Sequence, residues 1–189
     1  MKPPAPRLAE LLIAGWRAIP CTLTAAQACL WGALFALPFP LLAGGLYRAF
    51  LLERAALPGH AGLVLLGVAA VSLPLHEALH VLGWKRAGRL GRGEVRLLLR
   101  GGLPRCVCGA VLPVRAYLAG LLFPFAVLGG GSLLFMVLCP GTVTVLAALV
   151  NLTLPGADLL LACRLLKSDA VLVVDCPDQT GFIGLERVG

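Results

Sequence analysis

Four long apolar stretches dominate the pattern of hydrophobic and polar positions along the chain. Each is long enough to cross the hydrocarbon core of a bilayer, which takes about 20 apolar residues in a helix. They cover residues 26–50, 61–84, 116–139 and 143–166. Pro38 and Pro40 lie in the first stretch, and in lipid a proline bends a helix more often than it ends it. The pattern therefore predicts about four transmembrane helices.

Shorter patterns predict strands. Between the second and third stretches, residues 94–100 and 105–111 are typical of two strands on either side of a Gly-Gly-Leu-Pro break. A strand-like run also covers residues 171–175, before a Pro-Asp-Gln-Thr-Gly turn signal. The expected hairpin could pair with an extended substrate by strand addition, or it could be a plain structural loop.

The predicted fold class is thus an all-α polytopic membrane protein, with about four transmembrane helices and a small cytoplasmic β-hairpin between the second and third. We interpret residues 1–189 as a single membrane-embedded domain, with a cytoplasmic or interfacial lead over 1–25 and a cytoplasmic tail over 167–189. The lead is not expected to be a cleaved signal peptide, because no small-x-small cleavage site follows a short apolar core.

Composition supports the membrane interpretation. Charged residues make up only 13% of the chain, and its mean hydropathy is +0.93. In soluble domains, about a quarter of all residues are charged. The composition therefore excludes an ordinary soluble domain.

Basic residues are concentrated in the connection between the second and third stretches. A single acid, Glu94, lies there among eight basic side chains, and the turn at 139–142 carries no charge. By the positive-inside rule, both termini and this connection are expected in the cytoplasm. The net charge of +7 comes mostly from the connection, which favours contact with anionic lipids. Nucleic acid is not an expected partner, because no aromatic residues alternate with the basic ones. The eight are Lys85, Arg86, Arg89, Arg92, Arg96, Arg100, Arg105 and Arg115.

An H-E-x-x-H box, His76-Glu77-Ala78-Leu79-His80, lies in the second stretch. Histidines at i and i+4 share one helix face, so both can bind one Zn²⁺, and Glu77 is close enough to act as the base on a water molecule that zinc activates. Such boxes also occur by chance. An ionisable group at membrane depth costs roughly 3 kcal/mol or more, however, and is normally retained for function.

Asp158 is the candidate third zinc ligand, because catalytic zinc usually has three protein ligands. His76 and Asp158 are both 15 residues from the expected starts of their helices, which places them about 22 Å along each helix. The alternative for Asp158 is an interfacial acid paired with Arg164 or Lys167. Asp175 is a further possible ligand, although a surface acid is the simpler interpretation.

Asn151 is the remaining candidate for a catalytic role. It precedes Asp158 by two turns on roughly the same face, where it could hydrogen-bond a substrate carbonyl or an oxyanion. A polar clamp between helices is the alternative. The Pro155-Gly156 pair is expected to open or kink the helix just before Asp158.

The box and the later N-x-x-x-P-G-x-D segment resemble the intramembrane zinc metalloproteases of the site-2 protease type. The chain is more similar still to the bacterial putative zincin peptidases, small four-helix membrane proteins, over residues 73–182. The resemblance implies that His76, His80 and Asp158 bind zinc, that Glu77 is the base, and that the protein lies in a bacterial cell membrane. Where site-2 proteases carry an L-D-G sequence, this chain has Ala157-Asp158-Leu159.

The expected function is that of a zinc-dependent, membrane-embedded endopeptidase that hydrolyses peptide bonds in membrane or membrane-adjacent polypeptides. The alternative from another class is a non-catalytic membrane scaffold or adaptor that retains the fold. A membrane di-iron desaturase is excluded, because its cluster needs many more histidines than the three present.

Overall fold

Helices carry most of the apolar sequence, and antiparallel strands lie at their ends. The computed structural model describes residues 6–51, 59–91, 93–100 and 103–187. The helices are α1 Pro6–Ile13, α2 Ala25–Ala36, α3 Pro38–Leu46, α4 Ala61–Gly88, α5 Val114–Pro124, α6 Gly130–Leu138, α7 Thr142–Thr153 and α8 Gly156–Leu166. Short π-helical turns follow α3 and α5, at Tyr47–Leu51 and Phe125–Gly129. The strands are β1 Trp16–Leu23, β2 Val95–Arg100, β3 Leu103–Cys108, β4 Val111–Pro113, β5 Leu172–Asp175 and β6 Thr180–Arg187.

Three helical segments are long and apolar enough to cross a membrane. Within the described ranges they are Ala61–Gly88, Val114–Leu138 and Thr142–Leu166, which agree closely with the second, third and fourth predicted spans. This finding is compatible with a membrane protein.

The first predicted span is instead a pair of shorter helices. α2 and α3 meet at an angle of 42°. Pro38 begins α3 directly after the cap residue Leu37 of α2. A proline has no N–H to donate to the preceding turn, so the straight helix ends there. The prediction of about four transmembrane helices is therefore wrong in its first member.

The predicted all-α fold class is also wrong, because the described residues form two sheets. The larger has the strand order β1-β6-β5-β4, and every neighbouring pair in it is antiparallel. The predicted lead contributes β1 and the predicted tail contributes β5 and β6. Trp16 pairs with Arg187 at one end of the β1–β6 ladder, and Leu23 pairs with Thr180 at the other.

A proline and a glycine made the strands β1 and β6 difficult to predict from the sequence. Pro20 lies in the middle of β1, which is possible because β1 is an edge strand and needs hydrogen bonds on one side only. Gly181 has a φ of +135°, and a Cβ there would lie 2.1 Å from the carbonyl oxygen of Cys21. Only glycine allows this close approach of β6 to β1. Proline and glycine within a run normally indicate a loop.

The second sheet is the expected hairpin. β2 and β3 pair in antiparallel register between α4 and α5, with Leu97 opposite Cys106. Leu97, Leu98 and Leu99 are exposed along β2. The predicted strand at 105–111 begins and ends later than β3 does, because Val111 belongs to β4 of the larger sheet.

A buried cluster joins the helices to the sheets. It includes Trp84 of α4, Tyr117 of α5, Leu161 of α8, Val173 of β5 and Phe182 of β6. α4 and α5 approach so closely that a Cβ at Gly83 would lie 2.9 Å from the Cα of Gly120. The packing therefore fixes the C-terminal half of α4, which carries the H-E-x-x-H box, against α5 and the hairpin.

Candidate metal centre

His76 and His80 present their imidazoles to each other on one face of α4. Their Nε2 atoms lie 3.1 Å apart, and the rings meet edge to face at 87°. Both residues are buried, with exposed fractions of 7% and 4%. The i, i+4 spacing thus brings two nitrogen donors to one point inside the protein, as the sequence predicts.

Asp158 reaches the same point from the first turn of α8. Its Oδ2 lies 3.0 Å from Nε2 of His76 and 3.3 Å from Nε2 of His80. α7 ends at Thr153 and α8 begins at Gly156, so the helix is interrupted where Pro155-Gly156 predicts it. Among the described residues, the ion pairs of Asp158 are with these two histidines and not with Arg164 or Lys167.

The three donor atoms fit a zinc ion. Zinc in a tetrahedral site lies about 2.0–2.1 Å from nitrogen and oxygen ligands, which places the ligand atoms about 3.3 Å from one another. The observed separations run from 3.0 to 3.3 Å. Two imidazoles and one carboxylate are also a donor set typical of catalytic zinc, with a position left open for water or substrate.

A carbonyl oxygen orients the ring of His80. Nδ1 of His80 lies 3.0 Å from the carbonyl oxygen of Gly120 in α5. Because a carbonyl oxygen only accepts, Nδ1 carries the proton in this contact, and Nε2 keeps its lone pair. The neighbouring helix therefore selects the tautomer that can bind a metal through Nε2.

Two aromatic rings form a stack with the imidazole of His80. Trp84 stacks on His80 with ring centroids 5.3 Å apart, and Tyr117 stacks on Trp84 at the same distance. The indole N–H of Trp84 donates to the carbonyl oxygen of Tyr117 at 2.9 Å. Sequence reasoning missed both aromatic residues. The available signal was the position of Trp84, which follows His80 by four residues on the same helix face.

Glu77 lies beside the metal-ligand group and contacts the hairpin. The backbone N–H of Cys106 in β3 donates to Oε2 of Glu77 at 2.5 Å. Glu77 lines a cavity of about 1210 Å³ together with His76, His80 and Asp158. The carboxylate of the predicted base thus faces the same space as the candidate ligands.

The cavity has an apolar part and a polar part. Helices α2, α4 and α7 contribute apolar side chains, including Ala28, Leu73, Leu146 and Leu149. The polar part is formed by the hairpin and the tail, with Arg105, Asp175, Asp178 and Gln179. A polypeptide in this cavity would contact apolar helix faces on one side of the site and polar strand ends on the other.

Asn151 does not line this cavity. It is buried in α7, with an exposed fraction of 6%. Within the described part of the chain, its Oδ1 has no hydrogen-bond partner. The catalytic role given to Asn151 stays a prediction.

Asp175 is neither an exposed surface acid nor a member of the ligand group. It is half-buried in β5, so the surface interpretation is wrong. Its Oδ2 accepts the N–H of Cys108 at 2.9 Å, and its Oδ1 accepts the hydroxyl of Tyr117 at 3.1 Å. The candidate metal group among the described residues consists of His76, His80 and Asp158. Burial raises the pKa of Asp175 to about 6.

Comparison with known proteins gives one match. A family model described as "Putative zincin peptidase" matches residues 69–171, more than half of the chain. The matched range contains His76, Glu77, His80 and Asp158, and ends before Asp175. No curated protein and no solved structure matches the chain.

Proposed function

We propose that this chain, which belongs to the putative zincin peptidase family, is a zinc-dependent endopeptidase acting on membrane-embedded or membrane-adjacent polypeptides. The observation that carries the proposal is the convergence of three donor atoms from α4 and α8 within 3.0–3.3 Å of one another. Side chains placed for packing alone have no reason to aim two imidazole nitrogens and one carboxylate oxygen at one point.

His76, His80 and Asp158 would hold the zinc ion. Zinc bound there supplies Lewis-acid chemistry, which polarises a carbonyl group and makes a water molecule more acidic. The contact between His80 and Gly120 keeps Nε2 of His80 unprotonated for this purpose.

Glu77 would carry the proton. As a carboxylate it accepts a proton from the water that attacks the scissile carbonyl, and it then donates that proton to the leaving amine nitrogen. The N–H of Cys106 points at Oε2 of Glu77 and fixes the direction of the carboxylate. One residue thus serves first as base and then as acid, and ends the cycle in its starting state.

The outer edge of β3 supports an extended substrate. Pairs with β2 use the N–H groups of Arg105 and Val107, so the N–H groups of the alternate residues Cys106 and Cys108 point away from β2. That edge lies along the polar part of the cavity, beside Glu77. A substrate strand along this edge would pair through the outward carbonyl oxygens of β3, because the N–H groups of Cys106 and Cys108 already donate to Glu77 and Asp175.

The membrane part of the proposal has its own support. α4 carries the box within 28 residues that are apolar enough to cross a membrane, and apolar residues of α2, α4 and α7 line the cavity. Arg86, Arg89 and Arg96 are exposed where α4 meets the hairpin, which suits contact with anionic lipid headgroups.

Glu77→Gln tests the catalytic proposal. The substitution keeps the size and the hydrogen bond with Cys106 but removes the base, so hydrolysis of a fluorescein-labelled transmembrane peptide in detergent should fall at least ~100-fold. Zinc content, measured by mass spectrometry, should stay near about one ion per chain. Glu10→Gln is the matched control, because Glu10 is exposed on α1 outside the cavity, and it should keep native activity.

The same variant separates an enzyme from a scaffold. Native proteolysis in the Glu77→Gln protein would contradict the role of Glu77. If a cellular phenotype of the deletion were fully rescued by Glu77→Gln, the non-catalytic scaffold would be the better account.

A further inference from the structure

The outer edge of β3 is already occupied by carboxylates. The N–H of Cys106 donates to Glu77 at 2.5 Å, and the N–H of Cys108 donates to Asp175 at 2.9 Å. Pro104, the preceding position on this edge, has no N–H to donate. Both N–H groups of the edge from Pro104 to Cys108 thus meet an acid, one from α4 and one from the tail.

Asp175 joins three separate elements at this point. It belongs to β5, its Oδ2 accepts from Cys108 of β3, and its Oδ1 accepts from the hydroxyl of Tyr117 in α5. Arg105 makes a second connection between hairpin and tail, because its guanidinium donates to the carbonyl oxygens of Cys176 and Gln179. The hairpin is therefore attached to the tail on both sides of Cys106.

The same contacts lead to the candidate metal centre. The ring of Tyr117 stacks on Trp84, which stacks on His80. Asp175 consequently ties the hairpin to the helix pair that orients His80. A two-stranded hairpin alone is marginally stable, so its contacts with α4 and with Asp175 set the position of the β3 edge beside Glu77.

We propose that Asp175 is a positioning residue, which holds the outer edge of β3 against Glu77 through the N–H of Cys108 and the hydroxyl of Tyr117. This inference rests on the proposed peptidase function. It also restricts the substrate, because Glu77 and Asp175 hold both edge N–H groups and leave only the carbonyl oxygens of this edge for a short extended segment.

Amide hydrogen exchange tests the attachment without relying on activity. In the full chain in detergent, Asp175→Ala should raise the exchange rate of the Cys108 amide at least ~10-fold, because the amide loses its acceptor. Asp175→Asn retains an acceptor oxygen and should restore slow exchange. Asp169→Ala is the matched control, since Asp169 is an exposed acid just before β5.

Kinetics distinguish positioning from a general structural role. With a labelled transmembrane peptide in detergent, Asp175→Ala should raise KM by roughly 10-fold and reduce kcat much less, with Asp175→Asn close to native. Zinc content should stay unchanged in both variants. Zinc loss in Asp175→Ala would overturn the proposal by moving Asp175 to the metal centre, and so would native exchange at Cys108.

A second variant covers the case in which Asp175→Ala does not fold. Tyr117→Phe removes one hydroxyl without leaving a cavity, and it should raise exchange at Cys108 in the same direction by a smaller factor. Native exchange in Tyr117→Phe, together with native KM, would likewise overturn the proposal. Absent zinc and absent proteolysis in the native chain would contradict the peptidase function, while the exchange result would still decide the attachment.

Discussion

Nδ1 of His80 and the carbonyl oxygen of Gly120 lie 3.0 Å apart, and this contact depends on the absence of a side chain at Gly120. A Cβ at that position would lie 1.9 Å from Cδ1 of Trp84. Trp84 cannot move away without leaving the ring of His80, on which it stacks. A helix glycine therefore controls the orientation of a candidate metal ligand on the neighbouring helix.

Gly120→Ala should weaken zinc binding. The new methyl group displaces Trp84 and shifts the contact that holds His80 in its metal-binding tautomer, so the Kd for zinc should rise by about 10- to 100-fold. Competition with a zinc-chelating dye measures the change.

Gly131→Ala provides the control for this prediction. Gly131 lies in α6, and a Cβ there meets no atom within 4 Å. Alanine favours a helix over glycine by about 1 kcal/mol, so the control should bind zinc like the native chain and unfold no more easily. Equal zinc affinity in the two alanine variants would mean that Gly120 does not orient His80.

Asp158→Asn should reduce zinc affinity and eliminate proteolysis. Asparagine keeps the shape of the side chain but removes the negative charge, and two imidazoles alone hold the metal poorly. We expect zinc content after dialysis to fall well below one ion per chain, and activity to fall at least ~100-fold. Asp169→Asn, at an exposed position, should change neither quantity. Full zinc content in Asp158→Asn would show that the third ligand lies elsewhere.

The grouping of the three candidate ligands could be predicted because each lies in a short recognisable pattern, although Asp158 is 82 residues from His76 along the chain. His76 and His80 are one helical turn apart. Asp158 directly follows the segment Pro155-Gly156-Ala157, in which the Pro-Gly pair predicts an interruption of the helix. Equal helix depth then brings the two elements to one point, as the structure shows. Trp84, Tyr117 and Gly120 were missed for a physical reason, since apolar residues at helical spacing look the same whether they fill a core or support a ligand.

The larger sheet could not be predicted because its first and last strands, which pair with each other, are far apart in the sequence. β1 and β6 are separated by more than 150 residues, and neither alternates cleanly between apolar and polar positions. Pro20 is tolerated because β1 is an edge strand, and Gly181 allows the close approach of β6 to Cys21. In a short stretch of sequence, however, proline and glycine indicate turns. The hairpin was predictable because both of its strands and its turn lie within a few residues of one another.

Stability should depend on pH through Asp175. The pKa of Asp175 is raised from 3.8 to about 6 in the folded chain, mainly by burial, with Arg105, Tyr117 and the N–H of Cys108 acting in the opposite direction. The folded state thus favours the protonated acid. The stabilisation is fully present below about pH 4 and is lost as the pH rises to about 6.

Comparison with Asp175→Asn isolates this effect, because asparagine does not titrate. In metal-free protein, the free energy of unfolding of the native chain relative to Asp175→Asn should fall by on the order of 2 kcal/mol between about pH 4 and 7. Denaturant titrations followed by tryptophan fluorescence give this difference. A flat profile for Asp175→Asn over the same range would show that the pKa of Asp175 is not raised in the folded chain.

The hairpin and the larger sheet should face the same side of the membrane. β1 pairs with β6, and Arg105 of the hairpin donates to the carbonyl oxygens of Cys176 and Gln179. These contacts require the hairpin and the described ends of the chain to lie together, at the C-terminal ends of α4 and α8. The eight basic residues of the connection predict, by the positive-inside rule, that this side is the cytoplasm.

Reporter fusions test the orientation in cells. A reporter that is active only in the cytoplasm should be active when fused after Leu90 and when fused after Gly189, and inactive when fused after Pro140 in the turn between α6 and α7. The fusion after Gly189 is the internal control, because the sheet requires it to behave like the fusion after Leu90. Activity only after Pro140 would place the hairpin, the sheet and the polar part of the cavity outside the cytoplasm. Opposite results for the fusions after Leu90 and Gly189 would contradict the prediction that the hairpin and the larger sheet lie on the same side of the membrane.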